Sequence, residues 1–220
     1  MPAPQPLPLA QAAELTRTGD LWLFRGRSSA DRAIQTFTNA PVNHVGMAVV
    51  LEDLPPLMWH AELGRSLTDV WSGEHRRGAQ LHDLSAAVTT WVNRYHQRAW
   101  FRQLDPEVDR AAEDAVLRTI ARMNGTPFPN TVGMVSRWVG NKKVVRTLRR
   151  SGRTDEAVAL ETAYCAEIVA ATYQAMGLLP DDRPPGWYDP GRFWSGDSLA
   201  LRGGSALGDE IQITVDAPQP

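Results

Sequence analysis

The sequence predicts an α+β fold, an antiparallel sheet packed against helices with a helical insertion, on two observations. Short β-rich runs bounded by Gly, Pro and Asn follow one another between residues 19 and 104, and one more closes the chain at "GDEIQITV". Helical periodicity is concentrated between them, in the second half. At 220 residues the chain is expected to form one domain over about 18–216, with a flexible Pro-rich leader over 1–17 and the helical insertion over about 105–153.

Taken in order, "GDLWLFRG" (19–26) is an apolar run between turn residues and reads as a strand, followed by a helix in "SSADRAIQTFTN", where Ser28 and Asp31 have capping-box spacing. "NHVGMAVVLED" (43–53) and "LMWHAEL" (57–63) flank Pro55-Pro56 and read as a hairpin. "AQLHDL" and "QRAWFRQL" read as two more strands. "DPEVDRAAEDAVLRTIARMNG" is a helix with Asp105 as N-cap, Pro106 at its first position and Asn124-Gly125 as its stop. The stretch 130–153 is expected to be helical and carries Arg137, Lys142, Lys143, Arg146, Arg149, Arg150 and Arg153 without an acid, a solvated face or a surface for an anionic partner. A helix over 165–176 puts Ile168, Val169, Thr172 and Met176 on one face and stops at Gly177. The Pro/Gly/aromatic-rich stretch after it reads as an ordered wrapping loop.

The net charge of -2 makes no global case for nucleic acid. No run of about 18 apolar residues suggests a transmembrane segment, and the N-terminus lacks the pattern of a secretory signal. One cysteine cannot form an internal disulfide, which fits a reducing, cytoplasmic setting.

That cysteine, Cys165, falls where its helix is expected to begin. Unpaired N–H groups and the positive end of the helix dipole favour a thiolate there and offer donors to an oxyanion. A thiolate nucleophile needs a base and the base an orienting partner. His44 opens one strand of the hairpin, with Gly46 and Ala48 on its face; His60 and Glu62 share a face of the next. If the strands pair, either can lie beside His44. His75, His82 and His96 sit in polar or loop-like surroundings and read as solvated or structural. Their scatter around a single cysteine gives no metal-ligand spacing, so no metal or other cofactor is expected.

"GDLWLFRG", "NHVGMAVV", "MWHAE", "AYCAEIVAATYQAMGLLP", "YDPGRFWS" and "ALGDEIQI", in this order over about 18–214, resemble the successive motifs of the circularly permuted papain-like cysteine amidases and peptidases. This is the permuted branch of the NlpC-like superfamily, with the YiiX-type bacterial proteins and, more distantly, the lecithin:retinol acyltransferase group. The resemblance implies a permuted papain-like fold and a cysteine hydrolase that cleaves an amide bond through a thioester, with an acyltransferase or thioesterase on lipid substrates as the variant of the same chemistry. The implied substrate is an amide or ester in a peptide, cell-wall fragment or lipid. The family pattern maps its nucleophile onto Cys165 and its general base onto His44. Its third polar residue, which precedes a small residue, maps onto His60 before Ala61, with Glu62 as the alternative. Tyr164 beside the nucleophile, and Trp187 and Tyr188 in the following loop, are the candidate substrate-binding residues. A non-catalytic module that binds an anionic partner through 137–153 is the competing class.

Overall fold

A computed structural model of the chain describes residues 5–26, 41–64, 66–127, 153–195 and 199–216, with backbone alone over 153–163. The expected helix after "GDLWLFRG" and the basic stretch up to Arg150 lie outside the described residues; Arg153 is the first residue of a described helix.

The described chain begins with β1 (Leu7–Pro8) and α1 (Leu9–Leu15). The hairpins follow as β2 (Leu21–Arg25), β3 (His44–Val49), β4 (Leu57–Glu62) and β5 (Gly78–Asp83). Next come α2 (Leu84–Thr89), continued by a wider π-type turn at Thr90–Arg94, then β6 (Arg98–Arg102) and β7 (Leu104–Asp105). Two longer helices, α3 (Arg110–Met123) and α4 (Arg153–Ala175), precede a loop with short 3₁₀ turns, β8 (Ala206–Leu207) and β9 (Ile211–Thr214). Seven strands form one sheet in the order β1-β9-β6-β2-β3-β4-β5.

The sheet is mixed rather than wholly antiparallel, because β1 runs parallel to β9 with Leu7 opposite Ile213. The expected leader is therefore partly built into the fold: Leu7–Leu15 supplies an edge strand and a helix, with Ala12 fully buried. Proline punctuation hid this pair, since Pro8 lies where β1 passes into α1.

The helix expected from Asp105 starts later. Leu104–Asp105 pairs with β8 instead, Asp105–Pro106 is a cis peptide, and Asp109 caps α3 by accepting from the Ala112 N–H at 2.9 Å. Its end agrees with the sequence: Asn124 is the cap and Gly125 has φ of 74°.

A core fills each side of the sheet. On one, Leu21, Leu23, Val45, Met47, Trp59 and Ala61 pack against Ile168, Val169 and Tyr173 of α4. On the other, Trp22, Phe24, Ala48, Met58 and Phe101 pack against Leu84, Val88 and Trp91 of the α2 region. All six residues of β3 are consequently buried. The edge strand β5 is covered by a loop in which Val70 N–H donates to Leu81 O at 2.7 Å and the Asp69 carboxylate accepts from the Leu81 N–H at 2.9 Å. Arg102, nearly buried, anchors the wrapping loop by donating to the carbonyls of Phe193, Leu207 and Gly208.

Candidate active site

The pairing of β3 with β4 sets Met47 opposite Trp59 and Val49 opposite Leu57. Continued toward the start of β3, that register places His60 opposite Gly46 and Glu62 opposite His44, so all four share a face of the sheet. β5 extends the face, with Gln80 opposite His60 and His82 opposite Met58.

On this face three imidazoles form a chain. His44 Nε2 is 3.0 Å from His60 Nδ1, His60 Nε2 is 2.7 Å from His82 Nδ1, and His82 Nε2 is 3.2 Å from Gln80 Oε1. The chain ends in the Gln80 amide, whose Nε2 donates to the carbonyls of Arg76, Glu62 and Gly78. Trp91 covers the His44 and His60 rings with centroids 5.1 and 5.2 Å away, and Phe24 stands 5.6 Å from His44. The π-type turn sets Trp91 in place, and Tyr95 at its end packs on the indole at 5.2 Å.

Burial governs the charge state. His60, His82 and His44 are all buried, and loss of hydration pushes His44 down to about 3 and His82 to about 4. Burial, with His82 and His44 as neighbours, also holds His60 well below the usual imidazole range. All three are neutral near pH 7, the form in which an imidazole can accept a proton.

Close strand approach is what lets His44 and His60 meet. A Cβ on Gly46 would lie 2.8 Å from Met58 Sδ and 3.4 Å from His60 Cβ, so the small residue in "HVGM" has a steric reason.

Glu62 is fully buried as well, but its carboxylate turns to the Gly64 backbone N–H, while His60 meets His44. Of the two expectations for His82, solvated or structural, its burial within the chain contradicts the first. The signal for it was available in "AQLHDL": period-2 alternation puts Gln80 and His82 on one face, and pairing of that strand with "MWHAE" brings them to His60. His75 is exposed and contacts Leu67 O, and His96, at φ 54°, is exposed in a turn.

Cys165 is placed differently from its sequence expectation. Helix α4 starts at Arg153, so twelve residues (153 to 164) precede the cysteine. The Ala-, Leu- and Glu-rich stretch before it continues the helix in place of a cap. In a helix interior the N–H groups are taken up by the preceding turn, so neither a free Cys165 N–H nor the helix terminus acts on the thiol. Cys165 is fully buried in the core with Val45, Met47, Trp59 and Ala61, across the sheet from the histidine face.

Along the sheet, however, Cys165 and His44 lie toward the same end. Thr172 accepts from Trp59 Nε1 at 3.1 Å and Tyr173 donates to Gly19 O at 2.5 Å, which fixes the C-terminal half of α4 near the start of β2. Seven residues back, about 10 Å at the helical rise, Cys165 lies toward the end where β3 begins.

Tyr164 and Tyr188 are buried in the same core as Cys165, and burial followed by the Glu167 carboxylate pushes the Tyr164 hydroxyl up to about 12. Trp187 is 41% exposed, its ring flanked by the guanidinium groups of Arg192 at 4.4 Å and Arg183 at 5.1 Å. Among the described residues no cluster of three His, Cys, Asp or Glu has the geometry to hold a metal ion. No helix among them is long and apolar enough to cross a membrane.

No family model matches the chain, and a search of curated proteins found no match. Among solved structures the chain is similar to the crystal structure of metalloprotein yiiX from Escherichia coli O157:H7 (DUF1105), at 17% identity and a TM-score of 0.44. The match covers 72% of this chain and 65% of that one.

Proposed function

We propose that the chain is a hydrolase of carboxylic acyl bonds with a permuted papain-like arrangement, in which His44 is the general base, His60 orients it and Cys165 is the nucleophile. The reading rests on the His44–His60 contact of 3.0 Å beneath Trp91. A base held by a second polar group, in neutral form and away from water, is the arrangement acyl transfer through a nucleophile requires. Amides come first and esters second as substrates, and transfer of the acyl group to an acceptor other than water uses the same steps.

Deep burial makes the His44 imidazole a weak base toward a neutral thiol. A thiolate formed beside it stabilises the imidazolium, so the pair gains its proton-transfer driving force only when thiol and ring meet. In this reading the thiol reaches His44 around the end of the sheet where β3 starts and gives it its proton. Cys165 attacks the acyl carbon, the C–N or C–O bond breaks as the His44 imidazolium protonates the departing amine or alcohol, and water hydrolyses the resulting thioester to the acid and the free thiol.

Alkylation tests it. Iodoacetamide at pH 7 is expected to modify Cys165 in the native wild-type protein, and His44→Ala to slow modification at least tenfold. Modification only at the rate of global unfolding, equal in both proteins, would return Cys165 to the core and remove the cysteine hydrolase reading.

A further inference from the structure

The direction of the hydrogen bonds in the histidine chain follows from its far end. Gln80 Nε2 is surrounded by three carbonyl oxygens, of Arg76 at 2.5 Å, Glu62 at 3.2 Å and Gly78 at 3.4 Å. Carbonyls only accept, so this end of the amide is the NH₂ group, and the end facing His82 is its oxygen. An amide oxygen also only accepts, so His82 Nε2 carries the hydrogen.

A neutral imidazole has one N–H, and burial keeps all three rings neutral. With its hydrogen on Nε2, His82 presents a bare Nδ1 to His60, and His60 Nε2 must donate across the 2.7 Å contact. His60 Nδ1 is then bare, and His44 Nε2 must donate across the 3.0 Å contact. The opposite direction would set a bare His82 nitrogen against the Gln80 oxygen, two acceptors face to face.

We infer that Gln80 is a positioning residue which, acting through His82 and His60, fixes the His44 tautomer so that Nδ1 holds the lone pair available to take a proton. This deepens the hydrolase reading, on which its functional meaning rests: it names the base atom and adds two residues, Gln80 and His82, to those that set it. Neither needs to touch substrate. The β4–β5 register supplies the geometry, since Gln80 stands opposite His60 and two residues from His82 on the same face.

Two-bond ¹H–¹⁵N correlation spectra of the unliganded, ¹⁵N-labelled full chain near pH 7 separate protonated from bare ring nitrogens, with His44→Gln and His82→Gln assigning the signals. The expected pattern is protonated Nε2 and bare Nδ1 on His44, His60 and His82 alike. Gln80→Met, which removes the terminal acceptor at similar size, should mix or invert the His44 pattern, while Gln80→Glu, which keeps an acceptor toward His82, should preserve it. A wild-type His44 protonated on Nδ1 overturns the inference whatever the Gln80 variants show. A pattern unchanged in folded Gln80→Met overturns the role of Gln80. The spectra need no substrate, so a protein with the expected tautomers and no acyl-transfer activity would sink the hydrolase reading and leave the pinned tautomer standing.

Discussion

The two faces of the central sheet, built from alternate residues of the same strands, bury different chemistry. One holds His44, His60, His82 and Gln80 under Trp91; the other holds Cys165 among Val45, Met47, Trp59 and Ala61. The difference teaches how to weigh a buried group. A thiol is a small apolar residue that needs no partner, so its burial alone says little about chemistry. Imidazoles lose hydration at a cost that only aligned partners offset, and three in a row, each ring nitrogen of His60 engaged, form an arrangement that hydrophobic packing does not produce.

Acid should break this contrast most strongly, because only one face titrates. The folded-state values of His44, His60 and His82 lie below the unfolded value of about 6.5. Their stabilisation is therefore present above pH 6.5 and lost as pH falls toward 4 and 3, at up to about 1.4 kcal/mol per pH unit for each ring. Asp20 acts in the opposite sense: burial raises it to about 6 against hydrogen bonds from Leu104 and Arg17, so its contribution is full at low pH and lost as pH rises through 6. The balance is a net uptake of about two protons on unfolding near pH 5, or roughly 3 kcal/mol per unit. Urea unfolding at pH 7, 6 and 5 measures this slope, and a stability flat over that range would show that the histidines are not buried as a neutral chain.

A smaller effect separates the two candidates on β4 for the residue that orients His44. His60→Ala should lower acyl-substrate turnover by about 10²-fold, the usual scale for a component of general acid-base catalysis, while Glu62→Gln should stay within about tenfold of wild type. Activated amide and ester substrates serve as the assay, with thermal unfolding followed in parallel to separate loss of fold from loss of base. The reverse ranking would move the orienting role to Glu62 and reduce the histidine chain to structure.

Much of this was legible in the sequence because period-2 alternation and strand pairing are local rules. The strands at 21–25, 44–49, 57–62, 98–102 and 211–214 fall within the expected runs, the strand at 78–83 starts one residue before its own, and the adjacency of His44 and His60 follows from a hairpin across Pro55-Pro56. What escaped depended on long-range partners. His82 reads as polar until β5 pairs with β4, and Leu7–Leu15 reads as leader until β9, some 200 residues away, offers it an edge. Cys165 misled for a related reason. An apolar-periodic pattern marks a helix face but not its first residue, and helix continuing back to Arg153 removes the terminal effects on which the thiolate argument depended.

The smallest predicted effect tests the two faces through one residue type. Trp59, on the thiol face, donates its indole N–H to Thr172 Oγ1 at 3.1 Å, and Trp22, on the histidine face, is also fully buried, yet its N–H finds no acceptor among the described residues. Replacement by Phe removes similar area from each core, so the difference between the variants isolates the polar atom. In Trp59→Phe the protein loses a hydrogen bond and leaves Thr172 with only its own bond to the Ile168 carbonyl at 2.8 Å, a further cost of about 1 kcal/mol beyond packing. In Trp22→Phe an unsatisfied donor disappears, which returns about 1 kcal/mol or more against the packing lost with its contact to Phe101, whose ring lies 5.2 Å away. Trp59→Phe is therefore expected to be the less stable of the two by about 2 kcal/mol in urea unfolding at pH 7, where His44, His60 and His82 are neutral. Equal losses would mean that Trp22 is satisfied in solution, and the histidine face would then be more polar than its packing shows.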